Sequence, residues 1–193
     1  MKSWNISWNL RIINHMLSVV LVVLAAYIIV WPFLPTVTWW VQHEAPIVSS
    51  SPNVDLSAPR PQQQNTLVIP ALGMTEQIHD GDGVQTLNKG VWRRPASSSP
   101  DKKSNTVLSG HRFTYSGKSV FYYLDKVKVN DQIYIFWEGK RYLYEVTNLL
   151  EVSPDRVEVE APTSEPLLTV YTCTPVWSAK NRLVIQAKLV GVE

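Results

Sequence analysis

The sequence predicts a mainly β domain, closed into a small barrel or packed as a sandwich, preceded by one N-terminal transmembrane helix. Two observations carry this prediction. An uncharged apolar run lies near the start of the 193-residue chain, and short runs of β-branched and aromatic residues, separated by turn signals, follow from Thr66 onward. Closure or sheet packing would protect the edges of these strands.

Composition and charge exclude several classes of protein. Charged residues make up 18% of the chain, below the roughly 25% of a typical soluble domain, which indicates a segment outside water. Two of the 18 basic residues, Lys2 and Arg11, are the only charged side chains before Glu44, so the remaining 16 balance the 16 acidic residues. No nucleic-acid partner is therefore expected. The single cysteine excludes an internal disulfide and a multi-cysteine zinc site.

The first element is a run without Asp, Glu, Lys or Arg over residues 12–43. A helix over 12–34, rising about 1.5 Å per residue, matches the roughly 30 Å hydrocarbon core of a bilayer. Pro32 and Pro35 would end it, because proline cannot continue the hydrogen-bond ladder. The sequence therefore predicts a transmembrane anchor over residues 12–34.

The charges that flank this run predict its orientation. Positive charges precede the run and acidic residues appear only after it. The positive-inside rule then places residues 1–11 in the cytoplasm as a short tail and the remainder of the chain outside, in a single-pass cell-membrane protein. Two other interpretations remain: a cleaved signal peptide, for which residues 23–25 supply small side chains, and a buried core helix.

Residues 35–65 predict an extracytoplasmic tether. Segments 43–52 and 59–64 mix proline, serine and glutamine with few large apolar groups. Such a segment cannot bury enough surface to offset its ordering entropy. It would hold the domain formed by residues 66–193 at a semi-rigid distance from the bilayer.

The predicted strands of that domain are short apolar runs ending at turn residues. They cover residues 67–69, 106–108, 132–137, 141–146, 167–172 and 183–189. Glu138 and Gly139 between the third and fourth runs indicate a hairpin. The last run alternates apolar and polar residues, as a strand with one core face does. A short helix is expected only around residues 120–124.

Cys173 is the first candidate for chemistry. It lies where a predicted strand meets the loop 174–177, so a rigid backbone would present it on one open side. The thiolate is the attacking form of cysteine, and a nucleophilic Cys173 therefore needs a partner that manages its proton. The alternative is a buried cysteine that acts as a small hydrophobe.

His111 is the natural partner, because it follows Ser109 and Gly110 at another predicted strand end and glycine permits close approach. The alternative is a solvated loop histidine. His15 and His43 lie beside the anchor. His79 begins the acidic turn 79–83, which lacks the further acids that an EF-hand calcium loop requires.

Arg182 is the third candidate. It opens the last predicted strand, and the turn-forming residues 178–181 precede it, so a hairpin would fold Arg182 back towards Cys173. A guanidinium there could donate hydrogen bonds to a developing oxyanion at any working pH. The alternative is an exposed strand arginine.

These residues lie in motifs that resemble the sortase family. Residues 169–173, Thr-Val-Tyr-Thr-Cys, resemble the sortase signature Thr-Leu-x-Thr-Cys, and valine keeps an apolar residue at the second position. Residues 109–112, Ser-Gly-His-Arg, resemble the sortase Gly-His segment. Further segments in family order are 67–70, 89–90, 105–108, 129–133, 173–175 and 182–184, together with Phe121 and Leu124. The resemblance covers the chain from Thr66 to its C-terminus.

The resemblance implies a closed eight-stranded β-barrel with short helices and a cysteine transpeptidase activity. By that analogy, Cys173 attacks the threonine carbonyl of a Leu-Pro-x-Thr-Gly-like sorting signal and forms a thioacyl-enzyme. His111 acts as the acid and base, Arg182 stabilises the oxyanion or positions the signal backbone, and Thr172 helps to position the substrate. The amine acceptor would come from a peptidoglycan precursor or a pilin lysine.

The subtype follows from two further features of the sequence. Pilin-polymerising members often carry a lid and a second, C-terminal membrane span, whereas residues 190–193 form no apolar tail and the tether lacks an Asp-Pro-aromatic lid motif. A cell-wall anchoring role is therefore expected, with pilin polymerisation as the alternative.

No cofactor or metal is expected. A calcium site as in some sortases would need acids near residues 152–166. Those present are Asp155, Glu158, Glu160 and Glu165, which we expect to be solvated. An L,D-transpeptidase is disfavoured because its Ser-His-Gly-Cys-type motif is missing. A membrane-tethered binding domain without activity is the non-enzymatic alternative, and hydrolysis without transfer is a further possibility.

Overall fold

We describe the chain from a computed structural model, which describes residues 6–30, 65–115 and 117–193. The chain divides into two units, residues 1–49 and 50–193, and each is described by itself. Parts of three predicted segments lie outside the described residues. They are the first five residues of the cytoplasmic tail, the helix end at Pro32 and Pro35, and the tether up to residue 64.

The first unit contains helix α1, Ile6–Val30. It begins six residues before the predicted start, because residues 6–11 contain neither proline nor glycine to stop it. Its segment Arg11–Val30 has a mean hydropathy of 2.4, and none of that segment is buried against protein. Among the described residues, α1 is the one helix long and apolar enough to cross a membrane.

The second unit is a closed β-barrel. Within residues 65–115 and 117–193, eight strands close in the order β1-β2-β3-β4-β7-β8-β6-β5. Their bounds are β1 Thr66–Ile69, β2 Met74–His79, β3 Val91–Arg93, β4 Asn105–Ser109, β5 Gln132–Trp137, β6 Lys140–Val152, β7 Leu167–Thr174 and β8 Asn181–Val192. The predicted mainly β fold, with a closed eight-stranded barrel, is confirmed.

The pairing of the strands closes the barrel and sets the relative directions of β4, β7 and β8. β1 pairs antiparallel with β5, where Thr66 lies opposite Phe136, and this pair removes the last free edge. β4 runs parallel to β7, while β7 and β8 form an antiparallel hairpin. Glu138 and Gly139 form the predicted turn of the β5–β6 hairpin. Their φ angles of 49° and 78° suit a two-residue hairpin turn.

Alternate strand residues fill the barrel. In β6, buried and less buried residues alternate from Tyr142 to Val146, as period-two geometry requires. Phe121 and Leu124 from the β4–β5 connection also enter the core and are fully buried. The short helix expected at residues 120–124 is a turn that leads into one 3₁₀ turn, Leu124–Lys126.

Two strands were not predicted from the sequence. The sequence of β2 contains no apolar run, and Ile78 is the only buried residue of this strand. β3 has three residues, too few to show a period, and pairs in parallel with β2 after the 3₁₀ helix Val84–Lys89. β6, β7 and β8 also extend beyond the predicted bounds.

Candidate active site

The β7–β8 hairpin positions two of the predicted residues. Cys173 lies directly opposite Arg182 in the antiparallel register, so the predicted fold-back of Arg182 onto Cys173 is present. Cys173 is a free, partly buried thiol. The Nη1 atom of Arg182 donates to the carbonyl oxygens of Ala179 and Asn181, at 3.3 and 3.0 Å. These local bonds hold the guanidinium at the hairpin turn.

His111 reaches the same end of the barrel from β4. Ser109, the last residue of β4, pairs in parallel register with Tyr171 of β7. His111 and Cys173 each lie two residues beyond that pair, and parallel strands advance in the same direction. Both side chains therefore emerge at one end of the barrel.

Loop contacts hold the backbone of His111. The backbone N–H of Phe121 donates to the His111 carbonyl at 3.0 Å. Gly110 permits this packing, since a Cβ there would lie 2.6 Å from the Phe121 ring. The Thr172 hydroxyl donates to the Gly110 carbonyl at 2.8 Å, which ties the strand beside Cys173 to the loop beside His111.

The imidazole of His111 contacts a residue that sequence reasoning missed. Its Nε2 lies 3.2 Å from Oδ1 of Asn88, in the 3₁₀ helix Val84–Lys89. Burial lowers the pKa of His111, which favours the neutral ring. The only signal in the sequence is the position of Asn88 directly before residues 89–90, a segment that resembles the sortase sequence pattern.

One cleft of about 380 Å³ collects all three candidates: Cys173, His111 and Arg182 line it together. The remaining walls come from the ends of β3, β4 and β7, from the 3₁₀ helix Val84–Lys89 and from the β6–β7 loop. An extended peptide laid in this cleft would meet a sulfur, an imidazole and a guanidinium. Acyl transfer requires a nucleophile, an acid–base group and an oxyanion donor.

A polar network fixes the β6–β7 wall of the cleft. The Tyr171 hydroxyl donates to Glu160 at 2.7 Å, and Arg94 donates to the same carboxylate at 3.1 Å. Burial and the neighbouring Glu160 carboxylate raise the pKa of Tyr171 to about 12, so it remains a donor. Asn105 donates to the carbonyls of Val159 and Ala161, each at 3.1 Å.

The acids near this loop do not gather around a common point. Glu160 is bound by Arg94 and Tyr171, and Glu158 pairs with Arg156 at 3.3 Å. Across the described ranges of the chain, three or more His, Cys, Asp or Glu side chains nowhere form a group that could hold a metal ion. Glu160 is therefore partly buried between two protein partners, and the expectation that all four acids are solvated is wrong for this residue.

Arg112, next to His111, is a second connection between the two sides. It is buried, with 8% of its surface exposed, and forms a 2.9 Å ion pair with Asp125. Its Nη1 also donates to the Thr174 hydroxyl at 3.1 Å. The residue after His111, Arg112, is therefore bonded to the residue after Cys173, Thr174.

Thr172, which we predicted to help position the substrate, lines the cleft. It is 1% exposed, and its hydroxyl is engaged with the Gly110 carbonyl. The hydroxyl of Thr172 thus bonds to the protein backbone.

Comparison with known proteins identifies the family of this barrel. The family model described as Sortase domain matches residues 67–190. Sortase A of Bacillus anthracis is 33% identical over 91 residues, which cover 47% of this chain and 43% of that protein. The three curated relatives matched first are covered over 43%, 39% and 51% of their lengths, so the chain spans about half of them or less.

Solved structures agree with this match. Sortase C1 of Streptococcus agalactiae, in complex with MTSET, is 30% identical with a TM-score of 0.61, covering 67% of this chain and 70% of that one. The Sortase D5 transpeptidase of Clostridium perfringens is 26% identical with a TM-score of 0.60, covering 66% and 79%. Since the family model spans more than half of the chain, this protein belongs to the sortase family.

Proposed function

We propose that this chain is a membrane-anchored cysteine transpeptidase that cleaves a Leu-Pro-x-Thr-Gly-like sorting signal after threonine and transfers the acyl part to an amine of the cell wall. One observation carries the proposal: Cys173, His111 and Arg182, distant in the sequence, line a single cleft. The membership of the chain in the sortase family supports the reaction class.

The first half-reaction forms the thioacyl-enzyme. Cys173 transfers its proton to His111 and attacks the threonine carbonyl, so a C–S bond forms. The scissile C–N bond then breaks, and the imidazolium of His111 gives its proton to the departing glycine amine. The products are a thioester on Cys173, a neutral His111 and a free amine.

The second half-reaction reverses these roles. Neutral His111 accepts a proton from the incoming amine, which attacks the thioester carbonyl. A new C–N bond forms, the C–S bond breaks, and the thiol–imidazole pair is regenerated. Burial lowers the pKa of His111 and therefore favours the neutral ring that this half-reaction needs.

Arg182 serves the tetrahedral intermediates of both half-reactions. It faces Cys173 across the hairpin, and two carbonyl contacts at the turn restrain its guanidinium. We propose that its remaining N–H groups donate to the oxyanion or hold the backbone of the signal. A restrained donor stabilises charge without being reorganised at each turnover.

The test uses the full chain in detergent micelles. Peptides with varied second and third signal residues are incubated with amine acceptors, and products are identified by mass spectrometry. We expect cleavage after threonine by the wild type and by Ser178→Ala, an exposed control in the same hairpin, and none by Cys173→Ala. A folded wild-type chain that cleaves no peptide would favour the inactive binding domain. Release without transfer would favour hydrolysis.

The acceptor distinguishes the two sortase roles. A diamino acid or glycine acceptor, as in a peptidoglycan precursor, represents cell-wall anchoring, whereas a lysine-bearing pilin peptide represents polymerisation. We expect the peptidoglycan-type amine to be used. Preferential use of the lysine peptide would reassign the chain to the pilin-polymerising group.

Anchoring and orientation have a separate test. The length and hydropathy of helix α1 support a membrane span. Lys2 and Arg11 lie before or at the start of that span, which supports a cytoplasmic N-terminus under the positive-inside rule. Because Cys173 is the only cysteine, a membrane-impermeant maleimide should label intact cells at this one residue. Labelling only after lysis would place the barrel inside the cell. Recovery of the barrel in the medium would indicate cleavage of the helix.

A further inference from the structure

The proposed reaction assigns no role to Asn88, although this residue contacts His111. Its carboxamide Oδ1 lies 3.2 Å from Nε2 of His111, across 23 positions of sequence. Asn88 itself is exposed, so the contact is not a consequence of core packing. A hydrogen bond to one ring nitrogen of a histidine determines which nitrogen carries the proton and which remains free.

The fold restrains Asn88 from two directions. Its 3₁₀ helix is anchored by the buried Thr86, and the Gly90 N–H closes its end on the Leu87 carbonyl at 3.3 Å. On the other side, the backbone at Gly117 comes so close that a Cβ there would lie 2.8 Å from Cα of Asn88. Asn88 is therefore held between His111 and the β4–β5 connection.

We propose that Asn88 is the positioning residue of His111: Oδ1 accepts a hydrogen bond from Nε2–H and leaves Nδ1 as the nitrogen that exchanges protons with Cys173 and the reacting amine. The proposal rests on the proposed function and deepens it by assigning the role of each ring nitrogen. Asn88 does not line the cleft itself, so we assign it a role that it exerts through the imidazole.

A neutral carboxamide suits this task better than a carboxylate. It accepts from Nε2–H in both the neutral ring and the imidazolium, so it orients the ring without adding a charge that would favour the imidazolium alone. The charged and titratable groups that share the cleft with His111 are Arg94, Arg156, Glu160, Tyr171, Cys173 and Arg182.

The direct test is the tautomer of His111. The full chain, labelled with ¹⁵N-histidine in detergent micelles, is compared with Asn88→Ala by NMR, and His111→Gln assigns the signal. We expect the wild-type neutral ring to be protonated at Nε2, Asn88→Ala to lose this preference, and Gln85→Ala, an exposed control on the same 3₁₀ helix, to keep it. An unchanged tautomer in Asn88→Ala would overturn the proposal, whether or not any peptide is cleaved.

The kinetic test uses the same variants. Asn88→Ala should lower kcat by about tenfold to a hundredfold, with KM within about twofold, because ring orientation and not peptide binding is lost. Asn88→Asp should restore the orientation but raise the pKa of His111, moving the histidine limb of the rate profile to higher pH. Unchanged kcat in Asn88→Ala, or a pH profile of Asn88→Asp identical to that of wild type, would contradict the proposal.

Discussion

The candidate site has one side built on strands and one built on loops. Cys173 and Arg182 occupy opposed positions of the β7–β8 hairpin, where the ladder itself sets their separation. His111 lies beyond the end of β4 and depends on the Phe121 amide, the side chain of Asn88 and the close packing at Gly110. The nucleophile and the arginine are thus placed by register, and the acid–base residue by individual polar contacts.

This difference has a physical consequence for variants. A ladder distributes its restraint over many hydrogen bonds, so the loss of one neighbour changes little. A loop residue is held by few bonds, and each loss moves the ring. Two side-chain contacts join the sides: Thr172 to the Gly110 carbonyl, and Arg112 to Thr174. Variants on the strand side, on the loop side and at these two joints should therefore change different properties of the protein.

The largest effect is expected on the strand side, at Arg182. Arg182→Ala should reduce kcat/KM by about 10²- to 10³-fold, the usual cost of an oxyanion donor, and shift Tm by less than about 3 °C, because the contacts made by its guanidinium are local to the turn. Arg182→Lys should recover little, since an ammonium lacks the planar fork.

Steady-state kinetics and thermal melts of the same preparations measure the two effects. Lys180→Ala, an exposed change in the same turn, should resemble the wild type in both. A parallel loss of activity and of Tm in Arg182→Ala would show that Arg182 is structural.

The joint at Arg112 should dominate stability. Arg112→Met breaks the ion pair with Asp125 and the bond to Thr174, and we expect a loss of about 2 kcal/mol in the free energy of unfolding. Lys188→Met removes the exposed pair with Glu145 and should cost less than about 0.5 kcal/mol. Urea unfolding measures both. Equal losses in the two variants would mean that the burial of Arg112 does not increase the contribution of its contacts to the free energy of unfolding.

The joint at Thr172 should have a smaller effect of a different kind. Thr172→Val removes the bond to Gly110 at nearly constant volume, which should cost about 1 kcal/mol and lower kcat while KM stays constant, because Thr172 is 1% exposed. Thr147→Val, which loses a bond to the Gln186 carbonyl away from the cleft, should cost stability alone. A several-fold rise in KM for Thr172→Val would support a substrate contact.

The smallest effect is the pH dependence of the loop side. Burial lowers the pKa of His111, so between its ordinary and lowered pKa the unfolded chain binds more protons. Stability should therefore fall as pH drops below the ordinary histidine pKa. His111→Gln should lose less Tm than wild type between about pH 7 and pH 5. His79, whose pKa is also lowered by burial, contributes equally to both proteins. A larger loss of Tm in His111→Gln than in the wild type would contradict the predicted direction of the pKa shift.

The sequence predicted the strands that show a period or a long apolar run. In β8 the alternation from Leu183 to Leu189 was sufficient, and Glu138 with Gly139 located the β5–β6 turn. β2 and β3 were not predicted, because β2 has a single buried residue and no apolar run, and β3 has three residues. Their parallel pairing is a tertiary feature that no local pattern encodes.

The same limit applies to the site. Hairpin geometry alone predicted that Arg182 faces Cys173, because the two are separated by one turn. The approach of His111 depends on the parallel pairing of β4 with β7, and that of Asn88 on a 3₁₀ helix between β2 and β3. Both contacts join residues that are far apart in the sequence. Residues outside the long strands carry no periodic signal that could predict such contacts.

The most direct measurement of the central claim is the intact mass of the full chain after incubation with a sorting-signal peptide without acceptor, followed by addition of an amine. We predict that the chain gains the mass of the peptide up to its threonine, that peptide mapping places this adduct on Cys173, and that the amine removes it. An adduct on another residue, or one that the amine leaves in place, would contradict thioacyl transfer through Cys173.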